Sequence, residues 1–330
     1  MFQRFSRRRM LAMVSGLTVA CAASQLVWAA GPNEYPGKPV RVVVPFPAGS
    51  GTDNTARYIA QTITAQTGQS VVVENRPGAN GFIAATAVAT APADGYTMLI
   101  TTNTTHAANA SLFKKLPYDP IKDFAPVSLI AKSGLVLVVP SDSPVQKVSD
   151  LTTLAKSRQG KMTFSSGSSS TRVASELYKM MSGTPALHVP YKGVPQALTD
   201  LMGHQVDFMI SDINPALPLI QNGKLRAVAV TTSERHPLLG KVPTMAESGL
   251  PAYEMTAWVA AFFPANTPKP VVARMSQLIE KGLTSPAATE HFSRTGGQPS
   301  PSTPEELAGF VRSETAKWAK VIKAAGIEPE

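Results

Sequence analysis

The chain has 330 residues, a formal net charge of +9 and a single cysteine. This length exceeds that of a typical single domain, so two α/β lobes are expected. The basic residues form no run interleaved with aromatic residues, which argues against a nucleic-acid partner. One cysteine cannot supply a disulfide framework or a zinc–cysteine site.

The first 29 residues have the pattern of an export signal. A basic segment with four arginines is followed by an apolar segment over residues 10–19 and by a small-residue cleavage site at Val27–Ala29. We therefore predict a signal peptide over residues 1–29, cleaved near Ala29 or Ala30. Its loss removes four arginines and no acid, which lowers the formal net charge from +9 to +5. Residues 6–11 also resemble a twin-arginine signal, an alternative export route.

Short apolar runs then alternate with helical patterns. The run at 40–44 predicts a buried strand, and apolar residues at i, i+3, i+4 and i+7 predict a helix over 53–67 that ends at Gly68. A strand at 70–74, a helix over 81–90 and a strand at 97–101 are predicted next. This order is typical of an α/β fold with a mainly parallel sheet.

The same alternation continues through the rest of the chain. The predicted elements are a strand at 135–139, a helix over 149–157, strands at 162–165 and 187–190 around a helix over 171–182, a helix over 195–202, strands at 206–210, 225–231 and 255–263, and helices over 269–283, 286–294 and 304–324. The last helices are expected to close the chain back onto the first lobe.

Two chain crossings are predicted between the lobes, near 125–135 and 250–258. Lobe 1 is then discontinuous, with residues 30–130 and 256–330, and lobe 2 comprises residues 131–255. A ligand cleft between the lobes, closed by a hinge, is the expected arrangement.

The loop at 45–53, Pro-Phe-Pro-Ala-Gly-Ser-Gly-Thr-Asp, joins a predicted strand to a predicted helix. Free backbone N–H groups and the positive end of the helix dipole favour a carboxylate or a phosphate at such a position. Asp53 is expected to cap the helix.

A serine-rich tract at 165–170 lies in an equivalent position in the second lobe. Its hydroxyls can either cap the following helix or bind a ligand. Because a cleft between sheet ends would bring the two helix starts face to face, we expect both to contact one anion. The polar tract 101–106 also follows a strand and should lie at the carboxyl end of its sheet.

Motifs of the common enzyme classes are incomplete in this sequence. Residues 49–54 approximate the dinucleotide fingerprint G-x-G-x-x-G, but Asn54 replaces its third glycine. No serine lies in a G-x-S-x-G elbow, and the five histidines show no metal-binding spacing. We expect no enzyme, no metal and no cofactor; a secreted NAD-dependent oxidoreductase or hydrolase is the alternative.

Several motifs in one order resemble a known family. They are Tyr35–Arg41, Pro45–Gly49, Glu74–Ala79, Ala93–Thr97, Pro190–Gly193 and Gly223–Val230. Over essentially the whole mature chain the sequence resembles the Bug family, the solute-binding proteins of tripartite tricarboxylate transporters. The resemblance implies a two-lobed periplasmic-binding-protein (Venus-flytrap) fold with two mixed, mainly parallel sheets. It also implies a periplasmic, monomeric receptor that passes a small organic carboxylate to two integral membrane subunits.

Members of that family commonly hold a carboxylate with backbone amides, hydroxyls and ordered waters. The residues predicted to bind the ligand here are Phe46, Pro47, Ala48, Gly49, Ser50, Asp53, Asn80, Gly81, Thr102, Ser166, Ser168, Ser169, Ser170, Thr171, Arg172, Tyr191, Lys192, Gly193 and Asp212. Two of them depart from the family pattern: Ser50 stands where a second adjacent glycine is common, and Arg172 lies where histidine is frequent. Arg172 either reaches a second acidic group of the ligand or points to solvent.

Overall fold

The computed structural model describes residues 35–330, and the predicted signal peptide lies outside them. Its strands are β1 (Val40–Val44), β2 (Val71–Asn75), β3 (Thr97–Thr102), β4 (Phe124–Pro140), β5 (Thr163–Ser166), β6 (Leu187–Pro190), β7 (Phe208–Asp212), β8 (Leu225–Val230), β9 (Thr256–Pro264) and β10 (Gly297–Pro299). No helix within these residues has both the length and the apolar character that a membrane crossing requires.

The helices alternate with these strands. They are α1 (Gly51–Thr67), α2 (Phe82–Ala89), α3 (Asn109–Leu112), α4 (Val148–Ser157), α5 (Ser169–Ser182), α6 (Val194–Met202), α7 (Ile213–Gln221), α8 (Lys269–Leu283), α9 (Pro286–Thr295) and α10 (Pro304–Ala324). A π-helical segment, Thr104–Ala108, runs directly into α3, and two short 3₁₀ turns lie at Ala79–Gly81 and Pro237–Leu239.

The strands form two mixed sheets that share β4. In the first sheet, β1 pairs in parallel with β2 and β3, and β9 runs antiparallel between β3 and β4. In the second sheet, β7 and β8 run antiparallel to the end of β4, and β5 lies parallel between β6 and β7. The predicted α/β class with two mixed sheets is confirmed. The lobe boundaries at 130 and 256 stay a prediction.

β4 passes from one sheet to the other. Its residues 124–134 pair with β9, whereas residues 135–140 pair with β7 and β8. The sequence predicted only the second half of this strand, because the first half was interpreted as a crossing between lobes. In this first half, residues 131–133 are paired with β9 on one edge and with β10 on the other.

Both helices that were expected to begin at an anion site end as predicted, at left-handed Gly68 and Gly183. Their starts differ from the prediction. α1 begins two residues earlier than expected, because Ser50 is its N-cap and Asp53 lies in its first turn. α7 was missed altogether, since a proline inside a helix usually interrupts it and this helix contains Pro218.

Candidate functional site

The first helix start follows β1 through the loop 45–50. The Ser50 hydroxyl accepts a hydrogen bond from the Asp53 amide at 3.2 Å, and the Ser50 carbonyl accepts one from Asn54 at 3.0 Å. The amides of Gly51 and Thr52 have no acceptor among residues 35–330. This is the usual state of the first N–H groups of a helix, which remain available to a ligand.

The Asp53 carboxylate fixes this loop from within. It accepts hydrogen bonds from the Gly49 amide at 3.0 Å, from Arg57 Nε at 3.0 Å and from Asn75 Nδ2 at 2.9 Å. Asn75 also donates to the Phe46 carbonyl at 2.9 Å. Burial of Asp53 raises its pKa, but the hydrogen bonds from Arg57, Asn75 and Gly49 outweigh burial and hold it below its ordinary value. Both carboxylate oxygens therefore have partners within the protein.

The second helix start follows β5. Ser168 is the N-cap of α5, and its hydroxyl accepts from the Thr171 amide at 3.3 Å. The Thr171 hydroxyl in turn accepts from the amides of Gly167 at 3.1 Å and Ser168 at 3.2 Å. Within the described part of the chain, the amides of Ser169 and Ser170 find no acceptor. The serine tract thus both caps its helix and leaves two amides available.

Direct hydrogen bonds join helical segments that follow strands of the first sheet to helices that follow strands of the second. The Ser170 and Thr104 hydroxyls are 3.2 Å apart, and the Ser169 hydroxyl donates to Asn109 Oδ1 at 2.8 Å. Between α1 and α7, Asn54 Nδ2 donates to Asn214 Oδ1 at 2.8 Å. The two lobes are therefore in contact around the two helix starts.

A cavity of about 60 Å³ lies between these helix starts. The residues in its wall are Phe46, Ser50, Gly51, Thr52, Thr55, Thr102, Asn103, Ala131, Lys132, Ser133, Ser168, Ser170, Val194, Asp212, Asn214, Ala257, Trp258, Val259, Phe292, Thr295 and Gly297. Neutral polar and apolar groups predominate. Lys132 contributes to the wall, but its ammonium lies 5.0 Å from the ring centroid of Phe310.

Asp212 stands apart from the other polar groups of the cavity. It is the N-cap residue of α7, yet its side chain does not cap that helix. No hydrogen bond or ion pair to its carboxylate is found within residues 35–330, and burial raises its pKa to about 6. Its carboxylate is therefore available to a ligand.

Asn103 is a cavity residue that the sequence prediction missed. Its side chain is fully buried, and its Oδ1 accepts from the Trp258 amide at 3.5 Å. Its Nδ2 group has no hydrogen-bond partner within residues 35–330, although buried amide groups normally have one. The position of Asn103 in the polar tract after β3 was the available signal, but only Thr102 was selected from that tract.

An outer groove adjoins the cavity and shares Phe46 and Ser168 with it. Its other wall residues are Pro45, Gly78, Ala79, Asn80, Gly81, Gly167, Pro190, Tyr191 and Lys192. Residues 78–81 all have positive φ, between 45° and 115°, which is a strained conformation for the alanine and the asparagine. The Asn80 carbonyl accepts from Asn109 Nδ2 at 2.9 Å, and this contact supports the strained turn.

The structure divides the nineteen predicted residues among three locations. The cavity wall includes Phe46, Ser50, Thr102, Ser168, Ser170 and Asp212; the outer groove includes Asn80, Gly81, Tyr191 and Lys192, besides Phe46 and Ser168. The walls of these two spaces do not include Pro47, Ala48, Gly49, Asp53, Ser166, Ser169, Thr171, Arg172 or Gly193.

Several residues of the last group have other partners. Arg172 Nη1 donates to Glu330 Oε1 at 2.6 Å, so this guanidinium is directed to a carboxylate of the protein. Ser166 Oγ is 2.7 Å from His188 Nε2. In the groove wall, Tyr191 also has a partner within the protein, because its hydroxyl donates to Asp200 at 2.8 Å. No group of three His, Cys, Asp or Glu side chains within residues 35–330 is placed to hold a metal ion.

Two helix starts that present free amides to one cavity between two α/β lobes define a solute-binding protein of the two-lobed class. Comparison with known proteins assigns the family. Residues 55–327 match the model of the tripartite tricarboxylate transporter family receptor. The chain belongs to this family.

Three solved structures are similar to this chain. R. palustris Rpa4515 with adipate is 38% identical, with a TM-score of 0.88 over 90% of this chain and 100% of that one. The periplasmic binding protein BugD is 34% identical, with a TM-score of 0.86 and the same coverage of both chains. MatC (Rpa3494) from Rhodopseudomonas palustris with bound malate is 32% identical, with a TM-score of 0.82 over 87% of this chain and 100% of that one.

These findings confirm the predicted Bug-family membership, the two-lobed fold and the role of a periplasmic solute-binding protein. They give no support to the alternative of a secreted enzyme.

Proposed function

We propose that the protein is a periplasmic receptor that binds a small organic carboxylate between the starts of α1 and α5. It delivers this ligand to two integral membrane subunits of a tripartite tricarboxylate transporter. One observation carries the proposal: the free amides of Gly51, Thr52, Ser169 and Ser170 lie at helix starts whose residues line a single cavity. The adipate and malate bound in the related structures support a carboxylate as the ligand.

The amides supply most of the recognition of the anion. A hydrogen bond to a charged group contributes about 1.5–3 kcal/mol, and the positive ends of the two helix dipoles act in the same direction. Ser50 and Ser168 hold the two helix starts in shape by capping them. Asp53 acts as a positioning residue, because its carboxylate fixes the loop that leads into α1.

Ligand binding is coupled to closure of the lobes. Lobe 1 comprises residues 30–130 and 256–330, lobe 2 residues 131–255, and the hinge includes the part of β4 where it passes between the sheets. The receptor acts as a monomer and without turnover. Export uses the signal peptide over residues 1–29, with cleavage near Ala29 or Ala30 and the twin-arginine pathway as a candidate route.

Proline substitutions at the two helix starts test the amide site directly. Proline at the first helical position removes one N–H group and preserves the helix. The residues before Gly51 and Ser169 have ψ of 158° and 165°, which is compatible with a following proline. Gly51→Pro should weaken carboxylate binding by about 10- to 100-fold in calorimetry. Ser169 does not itself line the cavity, so Ser169→Pro should have the smaller effect.

Gly51→Ala and Ser169→Ala are the matched controls, because they keep the N–H group. A β-carbon on Gly51 lies 3.6 Å from its nearest neighbour, Asn214 Cβ, so alanine fits there. Equal affinities of the proline and alanine variants would contradict the amide site. Turnover of a carboxylate by the wild-type protein, or NAD that copurifies with it, would contradict the receptor function.

A further inference from the structure

The wall of the cavity combines partial positive charge with one acidic side chain. The helix starts of α1 and α5 supply the partial positive charge. Among residues 35–330, Asp212 is the only ionisable side chain in the cavity wall other than Lys132, whose ammonium lies 5.0 Å from the ring centroid of Phe310. Among the described residues, the cavity therefore offers a ligand one negative side chain and no guanidinium or ammonium group.

The Asp212 carboxylate lacks the partners that buried carboxylates normally have. Asp53, the other acid near the helix starts, is held by Gly49, Arg57 and Asn75. Asp212 has no corresponding donor within residues 35–330, and burial is the cause of its raised pKa of about 6. Burial disfavours the charged form of an unpaired carboxylate, and this cost is relieved when a cation approaches it.

A second anionic group on the ligand does not fit this arrangement. Two charges of equal sign in direct contact repel each other at the effective dielectric constant near a protein surface. A protonated amine gains a similar attraction from the same carboxylate. Asn103 adds one neutral donor, its unpartnered and fully buried Nδ2 group, which can serve an oxygen of the ligand.

We propose that the receptor selects a zwitterionic amino carboxylate, whose carboxylate binds at the helix starts and whose ammonium group pairs with Asp212. This assignment rests on the proposed carboxylate-receptor function and adds the identity of the second polar group of the ligand. Asp212 is then the residue that determines specificity between amino acids and dicarboxylic acids.

Ligands matched in length test the assignment. Calorimetry at pH 7.5 compares linear carboxylates of three to six carbons that end in a methyl, a carboxylate or an amino group, together with the α-amino acids of the same lengths. At one chain length or more, the amino compound should bind at least tenfold more tightly than its monocarboxylate and dicarboxylate counterparts. Asp212→Asn should reduce this preference to less than threefold.

Asp94→Asn is the matched control, because Asp94 is an exposed acid paired with Lys38 and does not line the cavity. Asp212→Ser provides a second variant, and circular dichroism verifies that each variant is folded. Tightest binding by a dicarboxylate, or an unchanged preference for the amino compound in both Asp212 variants, would overturn the assignment but leave the carboxylate receptor intact. If no compound of the panel binds, both the receptor function and the assignment are wrong.

Discussion

Pro47 of the first helix-start loop lies against Gly193, the residue that precedes α6. A β-carbon on Gly193 would lie 2.3 Å from Pro47 Cγ and 2.5 Å from Pro47 Cδ. Gly193 has a φ of −175°, an extended conformation that any residue can adopt. Glycine is therefore required here by the close approach of the two lobes and not by the backbone conformation.

Gly193→Ala should weaken ligand binding by tenfold or more, because the added methyl group holds Pro47 away and prevents full closure. Besides Pro47, the nearest neighbour of the added methyl group is Pro195 Cδ at 3.8 Å, so the free energy of unfolding should change by less than about 1 kcal/mol. Calorimetry and denaturant unfolding measure the two effects separately.

Two controls accompany this variant. Gly309→Ala introduces a methyl group into α10, where no atom lies within 4 Å, and should leave affinity unchanged. The double variant Pro47→Ala/Gly193→Ala removes the clash and should recover most of the affinity. Failure of this second substitution to restore binding would mean that closure does not depend on the contact.

Asp53→Asn should lower both stability and affinity at neutral pH. The side-chain NH2 group of the asparagine is a donor and would face the Gly49 N–H or Arg57, which are themselves donors. The loop 45–50 therefore loses a hydrogen bond that fixes it. We expect a loss of about 1–3 kcal/mol in the free energy of unfolding. Because the pKa of Asp53 is lowered in the folded protein, this contribution exists above its ordinary value of 3.8 and disappears as the pH falls through the folded pKa.

Asp119→Asn distinguishes the two consequences. Asp119 also has a lowered pKa, caused first by the hydrogen bond from the Lys122 amide, and it does not line the cavity. The Asp119→Asn variant should be less stable than the wild type and should bind the ligand with unchanged affinity. If Asp53→Asn behaved in the same way, the role of Asp53 would be confined to folding.

The sequence predicted the positions of most elements but fewer of the side-chain partners. Gly68 and Gly183 were identified as helix ends because left-handed glycine is a local signal that does not depend on the rest of the fold. Ser50 and Asp53 are both good capping residues three positions apart, and only the structure shows that Ser50 caps and that Asp53 accepts from Gly49.

Cavity residues were predictable where they adjoin a strand-to-helix loop. Asn103 and Asn214 were missed, since their placement depends on contacts with Trp258 and Asn54, each far away in the sequence. The partner of Arg172 was equally beyond prediction, because Glu330 is 158 residues distant along the chain.

Arg172→Ala should not discriminate between dicarboxylates and monocarboxylates. The guanidinium pairs with Glu330 at 2.6 Å, and the two side chains are 22% and 56% exposed. Partly exposed ion pairs contribute about 0–1 kcal/mol. Arg172→Ala and Glu330→Ala should therefore cause similar small changes in the free energy of unfolding, and a double-mutant cycle should give a coupling within that range. A selective loss of dicarboxylate binding in Arg172→Ala alone would instead place Arg172 at the ligand.

Asp212→Asn should stabilise the ligand-free protein at pH 7.5. Burial raises the pKa of Asp212 from 3.8 to about 6, so the folded state binds more protons than the unfolded state between these values. The stability associated with the protonated form is complete below pH 3.8 and is lost as the pH rises through about 6. A pKa shift of this size corresponds to at most about 3 kcal/mol in the free energy of unfolding. The neutral amide of the variant does not undergo this loss as the pH rises.

Urea unfolding at pH 4.0 and pH 7.5 measures this difference. The variant and the wild type should be nearly equal in stability at pH 4.0, and the variant should be more stable by about 1–3 kcal/mol at pH 7.5. Asp94→Asn, at an exposed ion pair, should show no such gain. Equal stability of Asp212→Asn and wild type at pH 7.5 would mean that the Asp212 carboxylate has a partner in solution. Asp212 would then carry no unpaired charge, and the amino-carboxylate assignment would lose its basis. A gain in stability at pH 7.5 together with a loss of amino-carboxylate binding would show that this charge is retained for the ligand and not for the fold.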